Sequence, residues 1–314
     1  PVVESKGGSI QQILNNLAFD AWTAHWDFAY DVPYLNRFTG GLDYPLLAIN
    51  CYNLDNGELT FQPYRIIDRK GIRVAVIGIA ATIVDKVMPE GFHTGVRMTL
   101  GEDELREWVE YVRDEERAQL VIVLSHLGYP QELKMLSRVD DIDVFLSGHT
   151  HNRVRKASIV NNAVIIQSGC HGSFIGKIDL NLSSNGKVKD FEHRLIHVDS
   201  TITEDEEVYD LVESGIGPHR DMLDELVGET KTDLHRNLVM ECPMDNLLMQ
   251  ALLDYTGADL AFSNGWRYGA PIPRGPIKME DLWNIIPVNP PVSICEITGQ
   301  DVWDMMEMNL NRTF

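Results

Sequence analysis

Through the first two thirds of the chain, short apolar runs rich in Val, Ile and Leu recur at residues 46–50, 65–68, 74–79, 120–125 and 144–147. Between them, residues 102–116 have the charge density and apolar spacing of a surface helix. Elements that alternate in this way bury their apolar sides only by stacking strands against helices, which predicts a layered α/β domain. From residue 154 to 198 the pattern becomes strand after strand, at 163–167, 175–182 and 191–198, with SSNG at 183–186 as a turn signal. That stretch predicts a second sheet completing a sandwich.

An acidic stretch at 203–207 precedes a helical pattern that continues to about 226, with its Asp and Glu near the start, where the helix dipole favours them. We read it as a linker. A smaller α/β unit follows, with helices near 243–255 and 299–310 and strands near 259–262 and 292–297. With 314 residues, 44 % of them hydrophobic, the chain can bury the cores of two domains.

Charge narrows the partners. With 27 Lys and Arg against 47 Asp and Glu, the net charge is -20, and no basic stretch offers a footprint for a nucleic-acid backbone. A small anionic substrate is still compatible, because bound cations and one or two arginines set the local potential. Cys51, Cys170, Cys242 and Cys295 form no CxxC pair, so the spacing suggests neither a zinc knuckle nor a dithiol site. No apolar run reaches the length of about 18 residues expected of a membrane span, and residues 1–20 lack the regions of a signal peptide.

Three segments carry chemistry. LSGHTH at 146–151 places His149 and His151 just past an apolar strand; in extended backbone, residues i and i+2 share a side, so both rings could reach one cluster. Imidazoles presented in a βα loop are plausible nitrogen ligands for adjacent transition-metal ions, although HxH alone is equally a pair of solvated loop histidines. IVLSHLG at 122–128 is a second apolar strand ending in a histidine, His126, with Gly128 letting the chain turn away. Two such sites at the carboxyl ends of strands, where α/β sheets gather ligands, strengthen each other. In FDAWTAHWDF at 19–28, His25 lies beside Trp26 and Asp27; alone it reads as aromatic packing with an exposed acid.

Together these segments resemble the calcineurin-like metallophosphoesterases, specifically the 5'-nucleotidase family, in order and surroundings over nearly the whole chain. That family presents a GNHE motif, then a strand ending in a GH or SH ligand, then GHTH. The resemblance implies a four-layer αββα sandwich at 1–200, a linker helix at 201–227 and a 5'-nucleotidase carboxyl-terminal substrate domain at 228–314. It implies that His25, His126, His149 and His151 are ligands of two divalent ions, Mn or Zn, that activate a water against a phosphoester such as a nucleotide. The family's Asp-x-His and Gly-Asp motifs precede GNHE and are not found here, so an amino-truncated fragment is expected. A carboxyl truncation is expected too, since the chain stops before the family's base-stacking segment. The family's usual location, periplasmic or extracellular, is implied with it.

The local departure is informative. Where the nucleotidases have GNHEF, this chain has AHWDF at 24–28, which puts His25 at a metal-binding asparagine and Trp26 at the catalytic histidine. GHWEF is associated with the thiosulfohydrolases of bacterial sulfur oxidation, which remove sulfate from a carrier-bound S-sulfonate, and AHWDF resembles that variant. The partner would then be a carrier-protein arm. A third alternative is a non-catalytic binding protein on the same fold. Asp27 and His171, the latter in QSGCHGSFIGKIDL at 167–180, are further candidates near the site, although His171 reads equally as a turn histidine hydrogen-bonded to backbone. In the second domain, ADLAFSNGWR at 258–267 resembles a shortened NGGGIR segment, which implies substrate binding by Asn264 and Arg267; an Arg fork suits phosphate or sulfonate.

Overall fold

The computed structural model describes residues 2–183, 186–236, 238, 241–263, 269–287 and 289–313. The chain forms two compact units, Pro1–Gly217 and Pro218–Phe314.

The first unit is built on a six-stranded sheet. Its strands are β2 (Tyr64–Arg69), β3 (Ile72–Ile79), β5 (Leu120–Ser125), β6 (Val144–Ser147), β7 (Ser158–Val160) and β8 (Ala163–Gln167), in the spatial order β2-β3-β5-β6-β8-β7. A short ribbon of β1 (Cys51–Asn53) and β4 (Val96–Met98) lies beside it in the chain, and β9 (Phe174–Leu182) and β10 (Val188–His197) form a long hairpin. Strands β3, β5, β6 and β8 run parallel, with antiparallel β2 and β7 at the edges.

Each parallel strand is a nearly continuous apolar run because both of its faces are covered. On one face, Ile77, Val121, Val123, Phe145 and Ile165 pack with Leu105, Val109 and Val112 of helix Glu102–Asp114 and with Met135 and Leu136 of helix Tyr129–Leu136. On the other, Val74, Val76 and Leu120 meet Leu180, Leu182 and Val188 of the β9–β10 hairpin. The expected layering of helix, sheet and second sheet is thus present. Of the SSNG turn, residues 184 and 185 lie outside the described residues.

Residues 46–50, read from their apolar run as a strand, are not one. Leu46 and Leu47 make isolated bridges to Trp22 and Gln62, and Ile49 N–H donates to Gly78 O at 2.9 Å. The run signalled burial rather than a ladder: a Cβ at Gly78 would lie 2.3 Å from Leu47 O, so a glycine lets this segment cross β3.

The helix expected near 203–226 runs Glu206–Ile216, capped by the Asp205 carboxylate, which accepts from Glu207 N–H at 3.1 Å and Val208 N–H at 3.0 Å. It packs on helix Gln11–Asn16 of the first unit and gives way at Gly217 to a 3-10 turn containing Pro218.

The second unit holds a ribbon of β11 (Leu226–Thr230) and β12 (Gly275–Lys278), and helices Pro243–Thr256, Met279–Ile285 and Gly299–Thr313. Leu234, Met244, Ile272, Ile277 and Ile285 form its core. The strands expected at 259–262 and 292–297 are absent: both segments lack ladder partners among the described residues, and Leu260 is 55 % and Ile294 67 % exposed. β-branched composition makes a strand only where a neighbour accepts its backbone bonds.

Candidate metal centre

The parallel register brings four strand ends level, with Ile79 opposite Ser125, Ser125 opposite Ser147, and Ser147 opposite Gln167. His126 therefore follows β5 directly, His149 and His151 follow β6, and Cys170 and His171 follow β8. His25 joins from an earlier loop, fixed where Ala81 N–H, just past β3, donates to Ala24 O at 3.0 Å. Asp27 Oδ2 accepts from His25 N–H at 2.9 Å and holds the same loop.

His25, His126 and His149 each offer a ring nitrogen, and these atoms lie within 4.8 Å of one another. His25 Nδ1 is 3.2 Å from His126 Nε2, while His25 Nε2 is buried without a hydrogen-bond partner. Burial, and then the neighbouring His126, His149 and His151, press the His25 pKa down to about 3. Burial, followed by His149 and His151, lowers His126 to about 4, and burial lowers His149. Near neutral pH the rings are uncharged and their lone pairs are available. An orphaned buried nitrogen among converging neutral imidazoles fits a divalent transition-metal ion.

The GHTH segment is not extended, which corrects the picture of two rings sharing one side. His149 has φ 74° and His151 φ 58°, and the two rings enter different groups. His149 meets His25 and His126, whereas His151 lies within 4.8 Å of donor atoms of Cys170 and His171. His171 also has a left-handed backbone, with φ 55°. Such conformations cost about 1–3 kcal/mol each and persist only where the surroundings impose them.

Two buried polar residues supply that constraint, and sequence reasoning missed both. Glu132 is fully buried; its Oε1 accepts from Leu127 N–H and Gly128 N–H, both at 3.1 Å, and its Oε2 accepts from Ser147 Oγ. One carboxylate thus joins the loop after β5 to the end of β6. Burial raises its pKa, opposed by these bonds. Gln167 Nε2 donates to Ser147 Oγ at 2.7 Å and to Gly148 O, and its Oε1 accepts from Thr150 Oγ1 at 3.3 Å and from Asn152 N–H. An acid in the first turn of a helix, as Glu132 is, reads in sequence as dipole compensation. Gln167 left no signal beyond a polar residue closing an apolar run.

Glycines allow the loops to approach. A Cβ at Gly148 would lie 2.8 Å from His126 Nδ1, and one at Gly128, where φ is 103°, would lie 2.8 Å from Thr150 Cγ2. Trp26 is half-buried between His25, at 5.6 Å between ring centroids, and Phe92, at 6.3 Å. All four cysteines are free thiols. Asn264 and Arg267 lie outside the described residues.

Imidazoles gathered at the carboxyl ends of a mostly parallel sheet occupy the place where α/β folds collect their ligands. Comparison with known proteins makes this specific: residues 224–313 match the family described as 5'-nucleotidase, C-terminal domain. The chain is 26 % identical over 267 residues to the trifunctional nucleotide phosphoesterase protein YfkN of Bacillus subtilis, covering 81 % of this chain and 18 % of that protein. It is 21 % identical to the protein UshA of Escherichia coli over 93 % of this chain and 62 % of UshA. Among solved structures, the sulfate thiohydrolase SoxB of Thermus thermophilus superposes with a TM-score of 0.84 at 25 % identity, covering 90 % of this chain and 52 % of that one. A 5'-nucleotidase precursor, also from Thermus thermophilus, gives a TM-score of 0.82 at 20 % identity, covering 91 % of this chain and 62 % of that one.

The chain therefore carries the 5'-nucleotidase carboxyl-terminal domain behind a domain with the fold shared by these nucleotidases and SoxB, as its motifs imply. It spans between 18 % and 62 % of the lengths of YfkN and UshA. No helix among the described residues is long and apolar enough to cross a membrane.

Proposed function

We propose that this chain is the core of a metal-dependent hydrolase acting on phosphoesters in the manner of a 5'-nucleotidase, with His25, His126, His149 and His151 holding two divalent ions. The observation that carries the reading is the convergence of three neutral imidazoles, one with a buried, unpartnered Nε2. When bound, such ions supply Lewis acidity toward an ester oxygen and lower the pKa of water. The chain's own contribution is orientation. Glu132 and Gln167 fix the two histidine-bearing loops relative to each other, and Gly148 admits the close approach to His126. Asp27 holds the backbone of His25.

One specific observation favours a second reading. Trp26 stands beside His25, at the position the resemblance gives to a catalytic imidazole, and an indole has no titratable group to protonate a departing alkoxide near neutral pH. A sulfur leaving group, with a thiol pKa of about 8.5, departs as an anion without that proton. Trp26 thus suits hydrolysis of an S-sulfonate on a carrier arm, in line with the likeness to SoxB. A location outside the cytoplasm belongs to both readings and is checked by fractionating cells that make the full-length protein.

The test runs two substrates side by side with Mn2+: phosphate release from 5'-AMP and sulfate release from a peptidyl cysteine S-sulfonate, each with a His149→Ala control. Phosphate release that the control abolishes supports the first reading. Sulfate release alone selects the second. Neither product from a metal-loaded, folded protein leaves a binding module.

A further inference from the structure

We infer that His151, Cys170 and His171 form a cation site with a thiolate donor, beside the His25–His126–His149 group, that takes Zn2+ or Co2+ in preference to Mn2+. This deepens the metallohydrolase reading and rests on it for the neighbouring site, while its own donors are fixed independently.

The placement of His151 against Cys170 is set by backbone rather than by side-chain chance. Gln167 binds residues on either side of His151 through Thr150 Oγ1 and Asn152 N–H. Beyond it, Gly169 N–H donates to Asn152 O at 2.9 Å and Val154 N–H to Gln167 O at 3.1 Å, so the two segments are zipped together. Arg153 bridges Ser168 in the same ladder. This leaves His151 facing the turn that follows β8.

That turn is unusual in its residue choice. Ser173 N–H donates to Cys170 O at 3.1 Å, with His171 at φ 55° and Gly172 at φ 67° between them. Two successive positive φ values make a turn of the I′ kind, whose first central position ordinarily takes Asn, Asp or Gly. A histidine there gains nothing from the turn, yet the turn carries its ring beside His151, with centroids 5.7 Å apart.

The donor chemistry then selects the ion. One ligand atom from each of the three residues lies within 4.8 Å of the others. On a tetrahedral ion, with bonds of about 2.0–2.3 Å, donors sit about 3.3–3.8 Å apart, so a closure of about 1 Å completes the set. Thiolate with imidazole suits Zn2+ and Co2+, whereas Mn2+ favours oxygen donors.

The test is a Co2+ titration of the full chain followed by absorption spectroscopy, which needs no turnover. Wild type should show visible d–d bands and a near-ultraviolet sulfur-to-cobalt charge-transfer band. Cys170→Ser should lose the charge-transfer band, and Cys295→Ser and His149→Ala should keep it. His171→Ala, in an exposed turn, should weaken Co2+ binding at this site at least tenfold with the circular dichroism unchanged. Visible bands without charge transfer in the wild type overturn the thiolate site and leave the three-histidine centre standing. A charge-transfer band that survives Cys170→Ser also overturns it. Absence of every band removes both this site and the metallohydrolase reading.

Discussion

His25 Nδ1 lies 3.2 Å from His126 Nε2, although 101 residues separate them in the chain. That pair brings together the loop docked after β3 and the end of β5. His25→Phe should leave the metal-free chain within about 1 kcal/mol of wild-type stability, because removing the unpartnered Nε2 offsets the lost hydrogen bond to His126. The same change should weaken divalent-ion binding about 10²-fold, a loss typical of even an outer-shell partner. Denaturant melts and calorimetric titrations of the two proteins check both halves.

Glu132→Ala removes the carboxylate that joins Leu127 and Gly128 to Ser147. Two backbone N–H groups lose their partner, so a destabilisation of about 1–3 kcal/mol is expected. Metal affinity should fall about 10–100-fold, since residues that orient ligand loops have effects of that size. Glu132→Gln should also weaken metal binding, because either orientation of the amide turns its N–H donors toward a group that itself donates, the Ser147 hydroxyl or the Leu127 and Gly128 N–H groups.

Gly148→Ala places a methyl 2.8 Å from His126 Nδ1 and 3.2 Å from Ser125 O. The crowding should cost about 1–3 kcal/mol and push the His126 ring out of the group. Loss of Mn2+ binding with an intact circular dichroism spectrum is the expected signature.

Trp26→His should restore an imidazole where the nucleotidase-like motif has one. If the chain hydrolyses phosphoesters, phosphate release from 5'-AMP should rise about 10²-fold or more, the usual worth of a positioned general acid. Sulfate release from an S-sulfonate should not rise in parallel, because its leaving group needs no proton.

The Cys51 thiol is buried, and burial raises its pKa from 9.0 to about 12. Between those values the unfolded chain has lost a proton that the folded chain keeps, so stability should fall as pH rises from 9.0 toward about 12. Below that window the contribution is constant. Cys51→Ala should flatten the decline in a pH series of denaturant melts, and Cys51 should resist alkylation until the chain unfolds.

What the sequence disclosed follows from where each signal resides. Strands β5 and β6 were legible to their last residues because a parallel strand covered on both faces is an unbroken apolar run closed by a polar residue. The runs at 46–50, 259–262 and 292–297 carried similar composition but lack ladder partners, and partnership is not written in a single segment. His126, His149 and His151 announced themselves by following strands, whereas His25 was joined to them only through a family resemblance. Glu132 and Gln167 act between elements, so no local spacing reveals them. Cys170 was passed over for want of a neighbouring cysteine; its neighbours are histidines, one of them brought in by the β6–β8 register.

The most direct test of the His25–His126–His149 centre is a calorimetric titration of the wild-type chain against His149→Ala with Mn2+, which the thiolate group disfavours, with circular dichroism confirming that both are folded. Saturable binding in the wild type that is weakened at least 10²-fold in the variant is the expected result. Equal binding by both proteins, or none by the folded wild type, would contradict a centre built on His25, His126 and His149.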